Sequence, residues 1–404
     1  MHLAMVALAA AIVLLGARGG AQVCPGDCNA DRATSVAELA QAVRAAFDPS
    51  GASCAAADLD GNGAVTAAEL LHIRIAVVAP PPDCGLAATP TPSPTPTPTV
   101  TPATPATPVS TWIPCTPLPG GARQEIGITA LDSRVYVLGG LTDIGAVSRL
   151  VEVYDVAAGR WESAADLPAP RHHIGAAALG AQVYSVGGFS DQIFSPASEV
   201  YRYDPTQNRW STVAALPTQR GALAVAELGG KLYASGGSGP SGSVTDHAVY
   251  DPGADTWTPL APLPSPRNHL SAVGLGAYVY VVGGRSDSGG GANTGELDRY
   301  DPGSNTWDVL SPMPTARSGS AAAVVAGRIV VLGGEVNNDN PPTRVFVEVE
   351  LYDPAVDRWI SLDPMAVPRH GIGAAAVDAL IYVPGGATRA GYAATDYCDA
   401  LRVR

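Results

Sequence analysis

A stretch of twelve residues, Asp58 to Glu69, places oxygen donors at the spacing that a calcium ion requires. Ca²⁺ binds several oxygens in one loop, and the acidic residue that closes the loop supplies two of them. Gly63 stands where such a loop turns sharply. The candidate ligands, with Ala64 acting through its carbonyl, are Asp58, Asp60, Asn62, Ala64, Thr66 and Glu69.

A related but weaker loop precedes it. Its donors are Asp27, Asn29, Asp31, Ala33, Ser35 and Glu38. Arg32 occupies the place of the turning glycine, so its Cβ and its positive charge should weaken calcium binding. Both loops run into apolar-periodic, helix-like segments, residues 36–47 and 67–78. The alternative is therefore an Asp- and Asn-rich turn that only caps each helix.

The two loops fall in a small module, residues 22–84, that resembles the EF-hand and dockerin-type calcium modules of secreted bacterial proteins. The resemblance implies a small helical domain with structural calcium and, as an option, a cohesin-like docking partner. Glu38 and Glu69 at the last loop position are more typical of EF-hands than of dockerins. Four cysteines, which permit three pairings without a choice among them, lie in or beside the module: Cys24, Cys28, Cys54 and Cys84.

The N-terminal segment, residues 1–21, has an apolar run from Leu3 to Leu15 followed by small residues. This pattern is typical of a secretory signal peptide, and the run is too short for a transmembrane span. We therefore expect a secreted protein, extracellular or periplasmic, in a compartment where cysteines pair. Calcium is abundant outside cells, which favours a structural role for it.

Residues 85–111 are rich in proline and threonine and predict an extended spacer. The net charge of −13 argues against nucleic acid or an anionic membrane as the main partner, because both require a basic surface. We expect a soluble, acidic monomer.

Residues 112–404 contain a sequence repeat. Glycine pairs recur at intervals of 47 to 52 residues, beginning at Gly139, Gly187, Gly236, Gly283, Gly333 and Gly385. Five tyrosines, each followed by Asp, precede a tryptophan by seven residues: Tyr154, Tyr203, Tyr250, Tyr300 and Tyr352. A period near 50 residues indicates a repeat array, and the short apolar runs in each unit predict four strands. In one unit these are Gly175 to Leu179, Val183 to Val186, a third ending at Tyr203 and a fourth starting at Trp210.

This pattern resembles the kelch repeat, which implies a six-bladed β-propeller of four-stranded blades. The last repeat ends after its third strand, whereas Trp112 marks a fourth strand with no blade before it. The N-terminal strand should therefore complete the final blade. This closure would bring Cys115 and Cys398 together in a disulfide that clasps the ring, the alternative being two buried thiols.

Each repeat also carries an arginine just before its first strand: Arg123, Arg171, Arg220, Arg267, Arg317 and Arg369. These loops lead into the innermost strands, so the arginines should ring one channel mouth or lie just below it. They could bind a carboxylate ligand or an acidic peptide. The structural alternative, that they hydrogen-bond loop carbonyls or pair with Asp and Glu, is favoured.

Histidines stand on the same loops: His172, His173, His269 and His370. Imidazoles that converge on one mouth could bind a ligand or a metal, but no carboxylate or cysteine pattern supports a metal site. The sequence contains no serine elbow, phosphate loop or HExxH motif, and it offers no catalytic constellation.

These features favour a secreted binding scaffold whose propeller loops recognise a protein or glycan ligand. Specificity would come from the longer loops, residues 141–150, 189–199, 285–297 and 335–347. The alternative is an enzyme similar to sugar mutarotases or epimerases, in which arginine and histidine at the mouth would bind an acidic sugar.

Overall fold

The computed structural model describes residues 109–287, 292–336 and 344–404. The predictions for the signal segment, for both calcium loops with their four cysteines, and for the spacer up to residue 108 lie outside these residues. The described part of the chain consists of strands and connecting loops, without helices. It accordingly offers no helix that could cross a membrane.

Six four-stranded antiparallel sheets, here called blades 1 to 6, form the described fold. The strands of each blade are given below in order from the innermost to the outermost. The strands of blades 1 to 3 are Gly127–Leu131, Arg134–Leu138, Val151–Asp155, Arg160–Ser163; Gly175–Leu179, Gln182–Val186, Val200–Asp204, Arg209–Val213; and Ala224–Leu228, Lys231–Ser235, His247–Asp251, Thr256–Pro259. Those of blades 4 to 6 are Ser271–Leu275, Tyr278–Val282, Leu297–Asp301, Thr306–Val309; Ala321–Val325, Arg328–Leu332, Val349–Asp353, Arg358–Ser361; and Ala375–Val377, Leu380–Pro384, Cys398–Val403, Ser110–Pro114. Short two-stranded pairs join Arg123–Gln124 to Leu141–Thr142, Ser238–Gly239 to Gly242–Ser243, and Glu335–Val336 to Arg344–Val345.

The ring closes as the sequence predicts. The first strand, Ser110–Pro114, pairs antiparallel with Cys398–Val403 and forms the outer edge of blade 6. A disulfide joins Cys115 to Cys398 across 283 residues, which confirms the predicted clasp. The strand begins at Ser110, so the spacer ends before residue 111, where the sequence analysis placed its end.

The glycine pairs lie where the backbones of neighbouring blades contact each other. In blade 2, the N–H of Gly188 donates to the carbonyl of Arg220 in blade 3, and a Cβ at Gly187 would stand only 2.6 Å from the same oxygen. Both glycines have positive φ, which other residues adopt at a cost. The same bond, 2.8 to 3.0 Å long, links every blade to the next, including blade 6 to Arg123 of blade 1.

Aromatic side chains join the blades farther from the axis. Each tryptophan indole N–H donates to a carbonyl of the preceding blade at 2.7 to 3.2 Å, as Trp210 does to Ala165. The repeat tyrosines are buried and pack against these tryptophans, with ring centroids 5.0 to 5.2 Å apart. The repeated tyrosines and tryptophans thus fill the space between neighbouring sheets.

His247 is a buried histidine that packs between blades 3 and 4. Its ring lies 4.5 Å from that of Tyr300 and 4.9 Å from that of Trp307, and its Nδ1 is 2.9 Å from Ser235 Oγ. Burial lowers the pKa of His247 to about 3. In the unfolded chain this histidine has a pKa of about 6.5 and binds a proton below that pH. In the folded chain it stays unprotonated until the pH falls to about 3.

Stability should consequently fall as the pH drops below about 6.5, by about 2 kcal/mol between pH 7 and pH 5 from this residue alone. Replacing His247 by glutamine should make the loss between these two pH values smaller by that amount. Urea unfolding at both pH values measures the difference, in which any constant effect of the substitution cancels. An equal loss in both proteins would contradict the prediction.

Candidate functional site

A closed ring of backbone hydrogen bonds surrounds the propeller axis where the innermost strands begin. One residue of each blade donates its N–H to the carbonyl of the preceding blade, at 2.7 to 3.0 Å, until Glu125 of blade 1 donates to Gly371 of blade 6. In blade order these ring residues are Glu125, His173, Ala222, His269, Gly319 and Gly371. The ring fixes the distances between side chains that come from different blades.

All six ring residues have φ between 51° and 61°, the left-handed region that favours glycine. Three of them nevertheless carry large polar side chains: Glu125, His173 and His269. Ala222 is small enough for His173 and His269 to meet across it, with ring centroids 4.8 Å apart. Gly371 leaves room for Glu125, whose carboxylate would be 2.5 Å from a Cβ at that position.

Below the ring, a channel of about 440 Å³ runs between the six innermost strands. Its wall consists mainly of alanine and glycine, as in the segment from Gly175 to Ala178. The polar groups Glu125, His173 and His269 lie at one end of this channel. That end, where the loops after the glycine pairs gather, is called the mouth below.

The polar side chains at the mouth form one connected network. His173 Nε2 is 3.1 Å from Glu125 Oε2, and His173 Nδ1 is 2.5 Å from Nδ1 of His172. His269 Nε2 accepts from Arg285, at 3.0 Å, and its Nδ1 is 2.5 Å from the side-chain oxygen of Asn268. The ring contact between His173 and His269 joins these two sets of pairs, so the network extends from blade 1 to blade 4.

Arg285, Glu335 and His370 extend the network on its other side. Arg285 pairs with Glu335 Oε1 at 2.8 Å, and Glu335 Oε2 lies 3.4 Å from Nδ1 of His370. That nitrogen is also 3.6 Å from Glu125 Oε1. His370 donates through Nε2 to the carbonyl of Arg389 at 2.8 Å, so its Nδ1 carries the free lone pair.

Burial sets the protonation of this network. It raises the pKa of Glu125 to about 8, with the nearby Glu335 carboxylate adding to the shift. It also holds the pKa values of His173 and His269 well below the ordinary histidine value. A neutral Glu125 can donate to the Nε2 lone pair of an uncharged His173.

Exposed apolar side chains surround the mouth on one side. Ile144, Ile193, Phe194 and Tyr392 are 82%, 84%, 41% and 51% exposed, and they belong to the loops of blades 1, 2, 2 and 6. These four residues are called the loop-face patch. Gln192 of blade 2 donates to the carbonyl of Gly145 in blade 1 at 3.0 Å, which joins two of the loops.

The six arginines predicted near the mouth lie inside the blades. Their side chains are at most 5% exposed. Arg267, for example, donates to the carbonyls of Gly283 and Glu296 and pairs with buried Asp298. The arginines therefore have the structural role that the sequence analysis favoured, since they hydrogen-bond carbonyls and pair with Asp and Glu. Their guanidinium groups are not accessible to a ligand in the channel. Their carboxylate partners in blade order are Glu152, Glu199, Asp246, Asp298, Glu350 and Asp399.

The four histidines do converge at the mouth, and a ligand-binding role for them stays a prediction. Sequence reasoning missed Glu125, Arg285 and Glu335. A signal for Glu125 existed, because it stands two residues after Arg123, as His173 and His269 stand two residues after Arg171 and Arg267. Arg285 and Glu335 follow glycine pairs, in a different part of the repeat, and only the ring of blades brings them beside the histidines.

The fold and the repeat marks define a kelch-type six-bladed β-propeller. A sequence profile of the Attractin/LZTR1 beta-propeller matches residues 135–393, more than half of the chain. The chain therefore belongs to the Attractin/LZTR1 beta-propeller family.

Individual relatives match over shorter stretches. Kelch-like protein 40 of Mus musculus is 36% identical over 69 residues, which cover 17% of this chain and 11% of that protein. Kelch-like protein 40 of Xenopus laevis is 27% identical over 79 residues, 20% of this chain and 12% of that protein. The chain thus spans only about a ninth of the length of either relative. The solved structure of YjhT superimposes with a TM-score of 0.59 at 17% identity, covering 72% of this chain and 98% of YjhT, which supports the fold alone.

Proposed function

We propose that the chain is a secreted scaffold that binds a protein partner through the loop face of its propeller. Kelch-type propellers are typical protein-binding domains, which is the general ground for the proposal. Secretion, structural calcium in the N-terminal module and a cohesin-like partner for that module rest on the sequence and form part of the same proposal. Glycan binding is the competing outcome for the loop face.

The loop-face patch is the observation that carries the proposal. Large apolar side chains rarely cluster on the surface of a monomer unless they meet a partner. Ile144 and Tyr392 stand in adjacent blades, and a Cβ at Gly145 would lie 3.4 Å from the Tyr392 ring. Aromatic and aliphatic anchors of this kind dominate the binding energy of protein interfaces, whereas glycan sites also require an array of exposed polar groups.

The buried arginines weigh against the mutarotase-like alternative. That interpretation needs guanidinium groups at the mouth to bind an acidic sugar. Arg317, which it would use, is fully buried and lies 2.7 Å from the Glu350 carboxylate. Arg285 does reach the mouth, but its side chain is only 17% exposed and is already paired with Glu335.

A displayed peptide library selected on the immobilised full chain tests the proposal. Enriched peptides should bind the wild type and should bind the double variant Ile193→Asp/Tyr392→Asp at least about 10-fold more weakly, because each anchor contributes on the order of 1 kcal/mol or more. The matched control is Val309→Asp/Val356→Asp, whose parent residues are 73% and 67% exposed but lie outside the patch. Binding to this control should be unchanged.

Two results would overturn the proposal. Peptides that bind both double variants equally would place recognition away from the patch. A library that yields no binder, beside a glycan array on which the same protein binds a defined sugar, would assign the loop face to glycan recognition. Circular dichroism of each variant confirms that the blades remain folded.

A further inference from the structure

Three side chains at the mouth have the composition and spacing of a metal-binding group. Donor atoms of Glu125, His173 and His269 all lie within 4.8 Å of one another. The distance from His173 Nε2 to Glu125 Oε2, 3.1 Å, is close to the separation of about 3.3 Å between ligands on a tetrahedral Zn²⁺ with bonds of about 2.0 Å. A small movement of His269 toward this pair would complete the set.

Neighbouring groups orient both imidazoles toward this centre. The Nδ1 atom of His269 lies 2.5 Å from Asn268 Oδ1, and that of His173 lies 2.5 Å from His172, which is itself held by the carbonyl of Asp191. In metal sites, the ring nitrogen that does not bind the metal donates to an outer acceptor in this manner. The Nε2 atoms of both histidines are thereby directed inward.

His370 supplies an independent observation. It is 1% exposed, and its Nδ1 has no hydrogen-bond partner among the described residues. The nearest polar atoms are carboxylate oxygens of Glu335 and Glu125 at 3.4 and 3.6 Å. A buried lone pair that faces carboxylate lone pairs is unfavourable unless a proton or a metal cation lies between them, and both distances are long for a hydrogen bond.

We propose that the propeller mouth binds one zinc ion through Glu125, His173 and His269, with His370 as the fourth ligand. Three imidazoles and one carboxylate suit Zn²⁺ better than Ca²⁺ or Mg²⁺, which prefer oxygen. The bound ion would connect side chains of blades 1, 2, 4 and 6. None of these four residues belongs to the calcium loops predicted near the N terminus.

The charges around the site are compatible with a divalent cation. Arg285 already neutralises Glu335 through a contact of 2.8 Å, so Glu125 is the carboxylate left to face the metal. Arg285 donates to His269 Nε2 through its other terminal nitrogen and would release that bond when zinc takes the lone pair. Its NH1 atom keeps Glu335 and Ser318 as partners.

Equilibrium dialysis of the chelator-stripped full chain against Zn²⁺, with excess Ca²⁺ present to fill the calcium loops, tests the proposal. The wild type should retain one equivalent of zinc. Glu125→Gln and His269→Gln should each weaken binding at least about 100-fold, since loss of a ligand exceeds the effect of losing an outer partner. The matched controls are Glu227→Gln, at a channel residue outside the cluster, and His247→Gln, at a buried histidine outside it.

X-ray absorption of the zinc-loaded wild type provides a measurement that needs no variant. At least two imidazole ligands at about 2.0 Å should appear in its spectrum. The proposal is overturned if the zinc has only oxygen or sulfur ligands, if Glu125→Gln and His269→Gln retain zinc as the controls do, or if the wild type retains none.

Discussion

Replacing Arg267 by methionine should destabilise the propeller by about 3 to 5 kcal/mol, the range for removing one partner of a buried ion pair. Arg267 and Asp298 are each 1% exposed and pair directly. Arg267 also donates to the carbonyls of Gly283 and Glu296, at 3.1 and 3.3 Å. The substitution leaves the Asp298 carboxylate and the Gly283 carbonyl buried without this donor, whereas the Glu296 carbonyl keeps the N–H of Gly283. The stranded carboxylate is the main source of the large effect. Urea unfolding followed by tryptophan fluorescence measures it.

Blade 3 contains a matched control for this prediction. Arg220 occupies the equivalent position, but its carboxylate partner, Asp246, is 3.4 Å away and 40% exposed. Burial lowers the pKa of Arg220 to about 10, because the partner offsets little of the desolvation. Arg220→Met should therefore destabilise by less than about 2 kcal/mol, since it removes a poorly compensated charge and strands no buried carboxylate.

A double variant distinguishes the effect of the unpaired charge on stability from the effect of the altered side-chain shape. Arg267→Met/Asp298→Leu removes both charges, and it should recover at least half of the stability that the single variant loses, because apolar replacements of buried pairs are often neutral. If the single substitutions at Arg267 and Arg220 have equal effects, or if the double variant is no more stable than Arg267→Met, the buried pair is not what stabilises the blade.

The blade architecture was predictable because each repeat carries its own local signals. The strands predicted around Gly175 and Trp210 differ from the observed ones by at most one residue at their stated ends. Closure by the N-terminal strand followed from counting strands. The start of that strand at Ser110 was not predictable to the residue, since its edge pairing with Val403 depends on register and not on the side-chain pattern.

The mouth was predictable only in part. Equivalent repeat positions placed the histidines on one loop face, and the structure brings His173 and His269 together. Burial of the arginines was harder to foresee, because it depends on carboxylates in the third strand. Asp298 stands two residues before Tyr300, and Glu152 and Glu350 hold the same place before their own tyrosines. A comparison of the repeats at this position would have favoured the ion pairs more strongly.

Substituting alanine for Gly187 should destabilise the fold by about 2 to 5 kcal/mol. The residue has φ of 59°, where a Cβ costs about 1 to 2 kcal/mol, and that Cβ would stand 2.6 Å from the carbonyl oxygen of Arg220. Relieving this overlap requires blades 2 and 3 to separate, which adds about 1 to 3 kcal/mol, as overpacking does elsewhere. The midpoint of urea unfolding measures the sum.

Gly180 is a control that separates the cost of steric overlap from the cost of the backbone conformation. It has nearly the same φ, 58°, but no atom within 4 Å of its would-be Cβ. Gly180→Ala should therefore show only the backbone cost of about 1 to 2 kcal/mol. The excess for Gly187→Ala measures how strongly the ring resists the opening of one junction. A closed ring cannot relax there without straining the other junctions, whereas an open array could move apart at little cost. Equal losses for the two alanine variants would therefore mean that the contact between blades 2 and 3 is soft and that the glycine pair is needed for its backbone conformation alone.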